Sequence, residues 1–265
     1  MLSLALAVWV SGQGQPLVLH YPAEPELTGV TVRWSGHDVP FVWAGEQWLA
    51  IVGVDLDSSP GDHAVNVTFR YADGRTRVAR EPITVRHEQY PTTELTVEER
   101  YVELNPEDQA RAEREGAETS AIYDTFTPER YWSEAFVVPV EGAADGRNFG
   151  HRRVFNGQPR SPHSGADLRA RTGTPIHAAN RGRVVLAKGL FYSGNAVFID
   201  HGYGLFTTYL HLSAIDVRVG DIVERGQRLG LAGATGRVTG PHLHWGVRIV
   251  DARVDPFSLV RLGTQ

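Results

Sequence analysis

The sequence contains no cysteine among its 265 residues. This absence excludes disulfide bonds, thiolate nucleophiles, and zinc or iron–sulfur sites built on cysteine. Any bound metal must therefore be held by histidine, aspartate or glutamate, and eleven histidines are available. Lysine is nearly absent as well, because Lys188 is the single lysine among 26 basic residues. Schiff-base or phosphate-loop chemistry would depend on that one side chain.

The chain also lacks a strong excess of charge and a long apolar run. Its formal net charge is −5 with 22% charged residues, which gives neither the basic surface of a nucleic-acid binder nor an acidic tail. No apolar run approaches the roughly 20 residues of a membrane helix. We therefore expect no nucleic-acid partner and no stable membrane span. The length and the 42% hydrophobic content suffice for two modest cores.

The short apolar segment at residues 2–10 allows two interpretations. Its length, and the small residues Ser11 and Gly12 after it, are typical of a secretory signal, but the positive charge that should precede such a segment is missing. Large residues at even positions alternate with mostly small ones, which is the period of a strand with one buried face. We expect a first strand here, and an export signal farther upstream would be compatible with it.

Strand periods and turn signals divide the chain into three parts. Residues 1–87 carry short alternating patterns separated by turns, which predict a small immunoglobulin-like β-sandwich. Residues 88–136 form a linker with one helix. Residues 137–265 have regular short strands and glycine turns without room for crossover helices, which predicts an antiparallel β domain. The predicted fold class is therefore mainly β. The clearest strand patterns lie at residues 30–34, 48–52, 64–71, 183–187, 196–200, 205–211 and 242–247.

The linker helix has recognisable start signals. Asn105 is the predicted N-cap, Pro106 takes the first helical position, and Glu107 lies in the first turn. The following residues are mostly polar, with opposite charges four positions apart, and few are large and apolar. We expect an exposed connecting helix that ends near Thr125 and has no chemical role.

Two motifs in the third part combine histidine with a possible metal-binding geometry. His163 and Asp167 are four residues apart and can converge on one cation if the loop between them turns, which Ser164-Gly165 allows. His242 and His244 lie two apart in a predicted strand, so their side chains point to the same face. Two adjacent imidazoles are costly to bury without a shared task. A pair of surface histidines is the simpler alternative. However, Leu243 and Trp245 alternate with the two histidines, as the apolar face of a strand should.

His211 is the third candidate. It ends an apolar-rich strand, on the same face as Thr207 and Tyr209 in a regular alternation. A lone histidine in that position is more often structural than catalytic. Taken with the two motifs, however, one histidine, one aspartate and one further histidine make a three-ligand site with an open position, as in catalytic zinc sites. Two histidines remain to orient water and stabilise developing charge. These ligand types suit Zn²⁺ without excluding other divalent metals.

These residues resemble the lysostaphin-type (LytM-like) zinc endopeptidases, which cut peptides of bacterial peptidoglycan. The resemblance covers about residues 149–256. Asn148 departs from it, because other residues commonly precede the Phe149-Gly150 pair, and we expect no consequence for the metal. The matching segments are Phe149-Gly150, Gly173-Thr174-Pro175, Tyr209-Leu210-His211-Leu212, Gly226-Gln227 and the run from Gly236 to His244.

The resemblance implies a role for each candidate residue. His163, Asp167 and His244 would bind one zinc ion per chain, while His211 and His242 would act beside the attacked carbonyl without binding the metal. It also implies a peptidoglycan peptide as substrate, hydrolysis of its peptide bonds, and export to the periplasm or cell envelope. Residues 137–265 would then be the zinc endopeptidase domain, and the N-terminal sandwich an accessory region.

Three alternatives remain open at this point. A catalytically silent relative that activates another wall hydrolase would have lost a ligand, and none is lost here. A lipoyl- or biotinyl-carrier-like barrel would need a lysine at a hairpin tip, a setting that Lys188 lacks. A wall-binding module without activity is the third. The remaining histidines are expected to be structural or surface residues, namely His20, His37, His63, His87, His151, His177 and His201.

Overall fold

The computed structural model describes residues 9–96, 104–143, 146 and 148–262. The prediction of a strand at residues 2–10 therefore lies mostly outside the described residues, and its last two positions begin the first strand. The strands of the N-terminal part are β1 (Trp9–Gly12), β2 (Gln15–Pro22), β3 (Leu27–Trp34), β4 (His37–Pro40), β5 (Val42–Trp43), β6 (Gln47–Val54), β7 (Gly61–Tyr71), β8 (Thr76–Arg86) and β9 (Thr92–Leu95).

The first eight strands form two sheets that share one core. One sheet has the order β1-β8-β7-β3-β4 and the other the order β2-β6-β5. Alternation decides which side chains enter the core, as in β7, where Val67 and Phe69 are fully buried. Tyr21 of β2 meets Phe69 of the opposite sheet edge to face, with ring centroids 4.8 Å apart. The mainly β character is confirmed, while the immunoglobulin-like label stays a prediction.

The linker helix forms where its sequence signals place it. Helix α1 spans Pro106–Tyr123, and the side chain of Asn105 caps it by accepting a hydrogen bond from the Asp108 backbone N–H. None of its residues is fully buried, so contacts at single side chains attach it to the rest of the chain. Lys188 Nζ donates to both carboxylate oxygens of Glu118, at 2.7 and 2.6 Å. At the end of the helix, Tyr123 stacks on Phe198.

A small third sheet joins the linker to the C-terminal part. It consists of β10 (Arg152–Phe155), β11 (Gln158–Arg160) and the linker strand β9, in the order β11-β10-β9. The pairing of β9 with β10 is parallel, with Thr93 opposite Arg153. The linker thus supplies a strand beside the segment that enters the C-terminal sheet.

The rest of the C-terminal part forms one nine-stranded sheet in which all pairings are antiparallel, as predicted. A short helix, α2 (Pro256–Leu262), follows it and was not predicted. No helix among the described residues is both long and apolar enough to cross a membrane. The strands are β12 (Gly165–Leu168), β13 (Pro175–His177), β14 (Gly182–Leu190), β15 (Gly194–Asp200), β16 (Leu205–Ile215), β17 (Ile222–Val223), β18 (Arg228–Ala232), β19 (Leu243–Ile249) and β20 (Ala252–Val254).

Strands β16 and β19 form the centre of this sheet and carry its largest buried side chains. Tyr209 of β16 lies opposite Trp245 of β19, and both are fully buried. The Tyr209 hydroxyl accepts a hydrogen bond from the Ala179 backbone N–H at 2.8 Å, which satisfies its oxygen inside the core. Because Trp245 is packed in the core, the neighbouring residue His244 lies on the opposite face of β19, which points away from the core.

An ion-pair cluster connects the N-terminal sheets to strand β20. The guanidinium of Arg253 donates to both carboxylate oxygens of Asp55, and to Asp57 Oδ2 at 2.6 Å. Next to it, a Cβ on Gly53 would lie 2.6 Å from Cβ of Ala252, so the glycine permits the close approach of β6 and β20. Burial alone would raise the pKa of Asp55, but hydrogen bonds from Arg253 outweigh it and lower this pKa to about 2.

We expect Asp55→Asn to lower the free energy of unfolding by about 1–2 kcal/mol at pH 7, allowing for partial solvent screening of the pair. Because the folded-state pKa is depressed, this stabilisation is present above the ordinary pKa near 3.8 and is lost as the pH falls towards about 2. Urea unfolding at pH 7, 5 and 3 measures it. Asp38→Asn, in an exposed pair with Arg33, is the control and should change little. Equal stability of Asp55→Asn and the parent at pH 7 would contradict the expectation.

Candidate functional site

The pairing of β12 with β19 brings two of the predicted ligands together. Asp167 lies directly opposite His244 in this antiparallel pair, so both side chains project from the same face. His163, two residues before β12, follows the same alternation as Asp167. The expectation of a turning loop between His163 and Asp167 is wrong, because Gly165 already begins the strand. An extended backbone puts the two side chains on one side without a turn.

Gly165 makes room for the imidazole of His244. A Cβ at this position would lie 2.6 Å from Nε2 of His244 and 2.5 Å from the carbonyl oxygen of Trp245. Both distances are shorter than a carbon atom tolerates, so a side chain would displace the imidazole or separate the strands. The glycine therefore has a steric function beside the site.

Three ligand-type atoms form a nearly equilateral triangle. His163 Nε2 lies 2.9 Å from His244 Nδ1 and 3.1 Å from Asp167 Oδ1, and the third side is 3.0 Å. His163 Nδ1 donates to the backbone carbonyl of Asn148, so Nε2 of the neutral ring has a lone pair and no proton. If the three sides of the triangle were hydrogen bonds, each would need a proton of its own. With neutral imidazoles and an ionised carboxylate, the three atoms carry one proton at most. A cation bound by all three atoms would explain why they lie so close together without enough protons for hydrogen bonds.

The dimensions of the triangle fit a tetrahedral zinc site. Zinc–nitrogen and zinc–oxygen bonds of about 2.0–2.1 Å place neighbouring ligand atoms about 3.3 Å apart. Among residues 9–96, 104–143, 146 and 148–262, this is the one group of three histidine or acidic side chains with converging ligand atoms. Its members are partly or fully buried, which is unusual for such polar groups without a shared partner.

The protonation states also suit a metal. Burial lowers the pKa of His163 to about 4, so its ring is neutral at pH 7. Burial alone would raise the pKa of Asp167, but its contacts with the imidazoles of His163 and His244 outweigh this and hold the pKa well below the usual range. Both groups are therefore in the deprotonated form that metal binding requires, before any metal arrives.

Two further histidines line the open side of this cluster. The Nδ1 atoms of His242 and His211 donate to the backbone carbonyls of Gly240 and Thr235, at 2.8 and 2.9 Å. Each neutral ring therefore keeps its lone pair on Nε2. His242 Nε2 lies 3.6 Å from Asp167 Oδ1, and the ring centroids of His211 and His242 are 5.0 Å apart. Burial, with repulsion from the neighbouring imidazoles, lowers the pKa of His211 to about 3.

The expected position of His211 on the face of Tyr209 is wrong. A β-bulge interrupts the pairing of β15 and β16 here, so that Leu210 and His211 together lie opposite one residue. His211 takes a left-handed backbone conformation with φ of 66°. The bulge turns its side chain away from the buried face of Tyr209 and towards the ring of His244, at a centroid distance of 6.1 Å. The bulge thus places His211 in the groove.

Asn148, from which we expected no consequence for the metal, contacts two of the three predicted ligands. Its Nδ2 donates to Asp167 Oδ2 at 2.8 Å, and its Oδ1 accepts from the Asp167 backbone N–H at 2.9 Å. Its carbonyl accepts from His163 Nδ1. One residue therefore fixes the orientation of the carboxylate and the tautomer of the imidazole. In the sequence, Asn148 stands out because other residues commonly precede Phe149-Gly150. No pattern in the neighbouring residues, however, connects it with Asp167.

The remaining histidines of the C-terminal part lie outside the groove. His201 is fully buried with both ring nitrogens bonded, to the Arg181 carbonyl and to Thr207 Oγ1. His151 Nδ1 contacts Thr93 Oγ1 at 2.8 Å, on the small third sheet. The groove is lined by the following residues: Arg153, Phe155, Ser164, Asp167, Tyr192, Ser193, Leu210, His211, Arg237, Val238, Thr239, His242 and His244.

We expect Asn148→Ala to lower the affinity for Zn²⁺ by about 10- to 100-fold, the usual effect of removing a group that orients metal ligands. Competition with a chromogenic chelator measures this affinity without reference to activity. Asn66→Ala, at an exposed position of β7, is the matched control. An Asn148→Ala protein that is folded by circular dichroism and binds Zn²⁺ as tightly as the parent would show that this residue does not organise the site.

Comparison with known proteins agrees with this geometry. Residues 161–256 match peptidase family M23. A 99-residue segment is 50% identical to the peptidoglycan DD-endopeptidase ShyA of Vibrio cholerae, covering 37% of this chain and 23% of ShyA. A 97-residue segment is 42% identical to the DD-carboxypeptidase/endopeptidase Mpg of Neisseria meningitidis, covering 37% of this chain and 22% of Mpg. The matched part thus spans less than a quarter of these curated relatives.

A solved structure extends the similarity to nearly the whole chain. A crystal structure from Pseudomonas aeruginosa, named as a peptidase M23, superposes with a TM-score of 0.72 at 35% sequence identity. The match covers 94% of both chains, so it includes the N-terminal sheets and the linker as well as the groove. With this coverage and identity, the chain belongs to peptidase family M23.

Proposed function

We propose that this protein is a zinc-dependent endopeptidase that hydrolyses peptide bonds of bacterial peptidoglycan. The observation that carries the proposal is the triangle of His163 Nε2, Asp167 Oδ1 and His244 Nδ1, at the end of a groove into which two further imidazoles project. The names of the relatives ShyA and Mpg support peptidoglycan as the substrate class.

The three triangle atoms would hold the zinc ion, and the open side of the triangle faces the groove. When bound there, zinc supplies a Lewis acid that polarises the scissile carbonyl and promotes ionisation of the attacking water. Asn148 keeps Asp167 and His163 in the orientation and protonation state that such binding requires.

His211 and His242 would perform the proton transfers. Their Nδ1 atoms are committed to backbone carbonyls, so each ring presents Nε2 to the groove. A neutral Nε2 can accept the proton that water loses on attack, and the resulting imidazolium can stabilise negative charge on the carbonyl oxygen or protonate the leaving amine. Burial keeps His211 neutral at the start of this cycle.

The alternatives receive less support from the described residues. A catalytically silent relative would lack part of this cluster, and all five side chains are in place. A carrier barrel would need an accessible lysine, but Lys188 is paired with Glu118 of α1. Zinc content measured together with peptidoglycan turnover, followed by mass spectrometry of the released peptides, separates these functions and identifies the bond that is cut.

The parts of the chain outside the groove fit the same proposal. We assign residues 137–265 to the endopeptidase domain, residues 88–136 to a linker, and residues 1–87 to an accessory domain. A peptidoglycan substrate would place the protein outside the cytoplasmic membrane, in the periplasm or cell envelope. Fractionation of cells that express the natural gene tests this location.

We expect His244→Ala to lose bound zinc and with it the activity, because one of three protein ligands is removed. Affinity should fall by more than about 100-fold, since even partners of ligands commonly contribute 10–100-fold. Elemental analysis after dialysis gives the zinc content per chain. His20→Ala, at an exposed histidine of β2, is the matched control. Full zinc occupancy in His244→Ala would refute the ligand assignment.

We expect His211→Ala to keep its zinc and to lose turnover by about 10²–10⁴-fold, as is common when a general acid or base is removed. His211→Asn serves as a second variant, because asparagine tolerates the left-handed backbone conformation at this bulge. Zinc content and the rate of peptidoglycan cleavage are measured for both. Cleavage at the parent rate in either variant would make His211 a structural residue.

A further inference from the structure

The β-bulge that directs His211 into the groove depends on support from neighbouring segments. A left-handed backbone, with φ of 66° at His211, is disfavoured for a residue with a side chain and persists only where its surroundings hold it. The pairing of β15 with β16 is also interrupted here, between Asn195 and Val197. The position of this imidazole therefore depends on the contacts that fix the backbone around the bulge.

Two hydrogen bonds fix the backbone on either side of the His211 side chain. The backbone N–H of His211 donates to the carbonyl of Ser193 at 2.9 Å. The carbonyl of the next residue, Leu212, accepts a hydrogen bond from the hydroxyl of Thr235 at 2.8 Å. Thr235 lies in the loop between β18 and β19. A side chain from another segment of the chain thus holds the bulge at its C-terminal end.

The Thr235 hydroxyl bridges the two strands that meet at the bulge. The Oγ1 atom that donates to Leu212 also accepts a hydrogen bond from the Asn195 backbone N–H at 2.9 Å. Asn195 and Leu212 are partners in the register of β15 and β16, so the hydroxyl joins two backbone groups at one position of the ladder. A hydroxyl can donate one hydrogen bond and accept others, and this one does both. A side chain without a hydroxyl could not make this bridge.

The main chain of Thr235 contacts the same imidazole. Its carbonyl accepts the hydrogen bond from His211 Nδ1 at 2.9 Å, which leaves the lone pair of the neutral ring on Nε2. Because the hydroxyl and the carbonyl belong to one residue, a shift of Thr235 would change both the bulge and the tautomer of His211. Thr235 is not one of the described residues that line the groove. We therefore expect its influence on the reaction to pass through His211.

Glycines allow the loop that carries Thr235 to pack closely against the turn before β15. A Cβ on Gly194 would lie 2.2 Å from Thr235 Oγ1, and a Cβ on Gly236 would lie 2.3 Å from the Gly194 backbone nitrogen. Both glycines have a positive φ, of 61° and 78°, which side chains would also disfavour. These close contacts hold the Thr235 hydroxyl between the two strands.

We propose that Thr235 is a positioning residue for His211 and that rapid hydrolysis requires its hydroxyl. The hydroxyl holds the bulge that directs the imidazole into the groove, and the carbonyl of the same residue keeps Nε2 free to accept a proton. This inference rests on the proposed function, in which His211 takes part in proton transfer. It extends the set of residues on which the reaction depends to one that lies behind the groove.

The test compares two variants that differ from each other by one hydroxyl. Thr235→Ser keeps the hydroxyl and loses the methyl group, whereas Thr235→Ala loses both. Zinc content, and kcat and KM for a soluble cross-linked stem peptide, are measured for the zinc-loaded proteins. Nitrogen-15 NMR of histidine-labelled protein shows which ring nitrogen of His211 carries the proton, and His211→Asn identifies its signals. This last measurement requires no turnover. Thr235→Val, which keeps the volume without the hydroxyl, replaces the alanine variant if that variant does not fold.

We expect Thr235→Ala to lower kcat by about 10- to 100-fold, because even a small misplacement of a reacting group can cost about 100-fold. KM and zinc content should stay unchanged, and the His211 ring should show a mixture of tautomers. Thr235→Ser should keep the tautomer with the proton on Nδ1 and a kcat close to that of the parent. Ser213→Ala is the matched control, because it removes another hydroxyl at β16, one that donates to the Ala232 carbonyl, and its kcat should equal that of the parent.

The outcomes separate the positioning role from the activity. A folded Thr235→Ala protein that keeps the parent kcat or the parent tautomer overturns the positioning role, even if the parent hydrolyses peptidoglycan. An equal loss of kcat in Thr235→Ser or in Ser213→Ala also overturns it, because the Thr235 hydroxyl would then have no particular effect. A parent without hydrolytic activity overturns the proposed function, and the tautomer of His211 in Thr235→Ala still shows whether Thr235 positions the ring.

Discussion

The register between β12 and β19 is the constraint on which the site depends. Asp167 and His244 face each other because they are paired residues, and a slip of one position would turn one of them towards the core. The register is held from the far side by the burial of Trp245 against Tyr209, and Gly165 leaves the space that the His244 ring occupies. The geometry of the possible metal ligands is thus a product of core packing, since the same strand carries both faces.

Backbone carbonyls, more than other side chains, determine which nitrogen of each imidazole carries the proton. Three of the four histidines at the site donate Nδ1–H to a carbonyl, those of Asn148, Thr235 and Gly240. Each such bond leaves the lone pair on Nε2, which points into the ligand triangle in His163 and into the groove in His211 and His242. Since the acceptors are main-chain atoms, the tautomers are kept as long as the local backbone keeps its conformation. They do not require a second set of acidic residues behind the site.

The elements that could be predicted are those whose signals are local in the chain. The cap at Asn105 and the alternation around Trp245 each lie within a few residues, and the structure confirms the helix and the strand. The bulge at His211 could not be predicted, because it arises from pairing with β15 and regular alternation would place the side chain in the core. The role of Asn148 was missed for the same reason, since 19 residues separate it from Asp167.

The small third sheet shows that the groove and the region of family similarity have different limits. The match to the family begins at residue 161, after Asn148 and after β10, which provides the wall with Arg153 and Phe155. A fragment cut at that limit would retain the five side chains of the cluster and would lose both the wall and the amide that orients Asp167. Since β10 pairs with β9, a unit that keeps this wall must also include β9, within the linker.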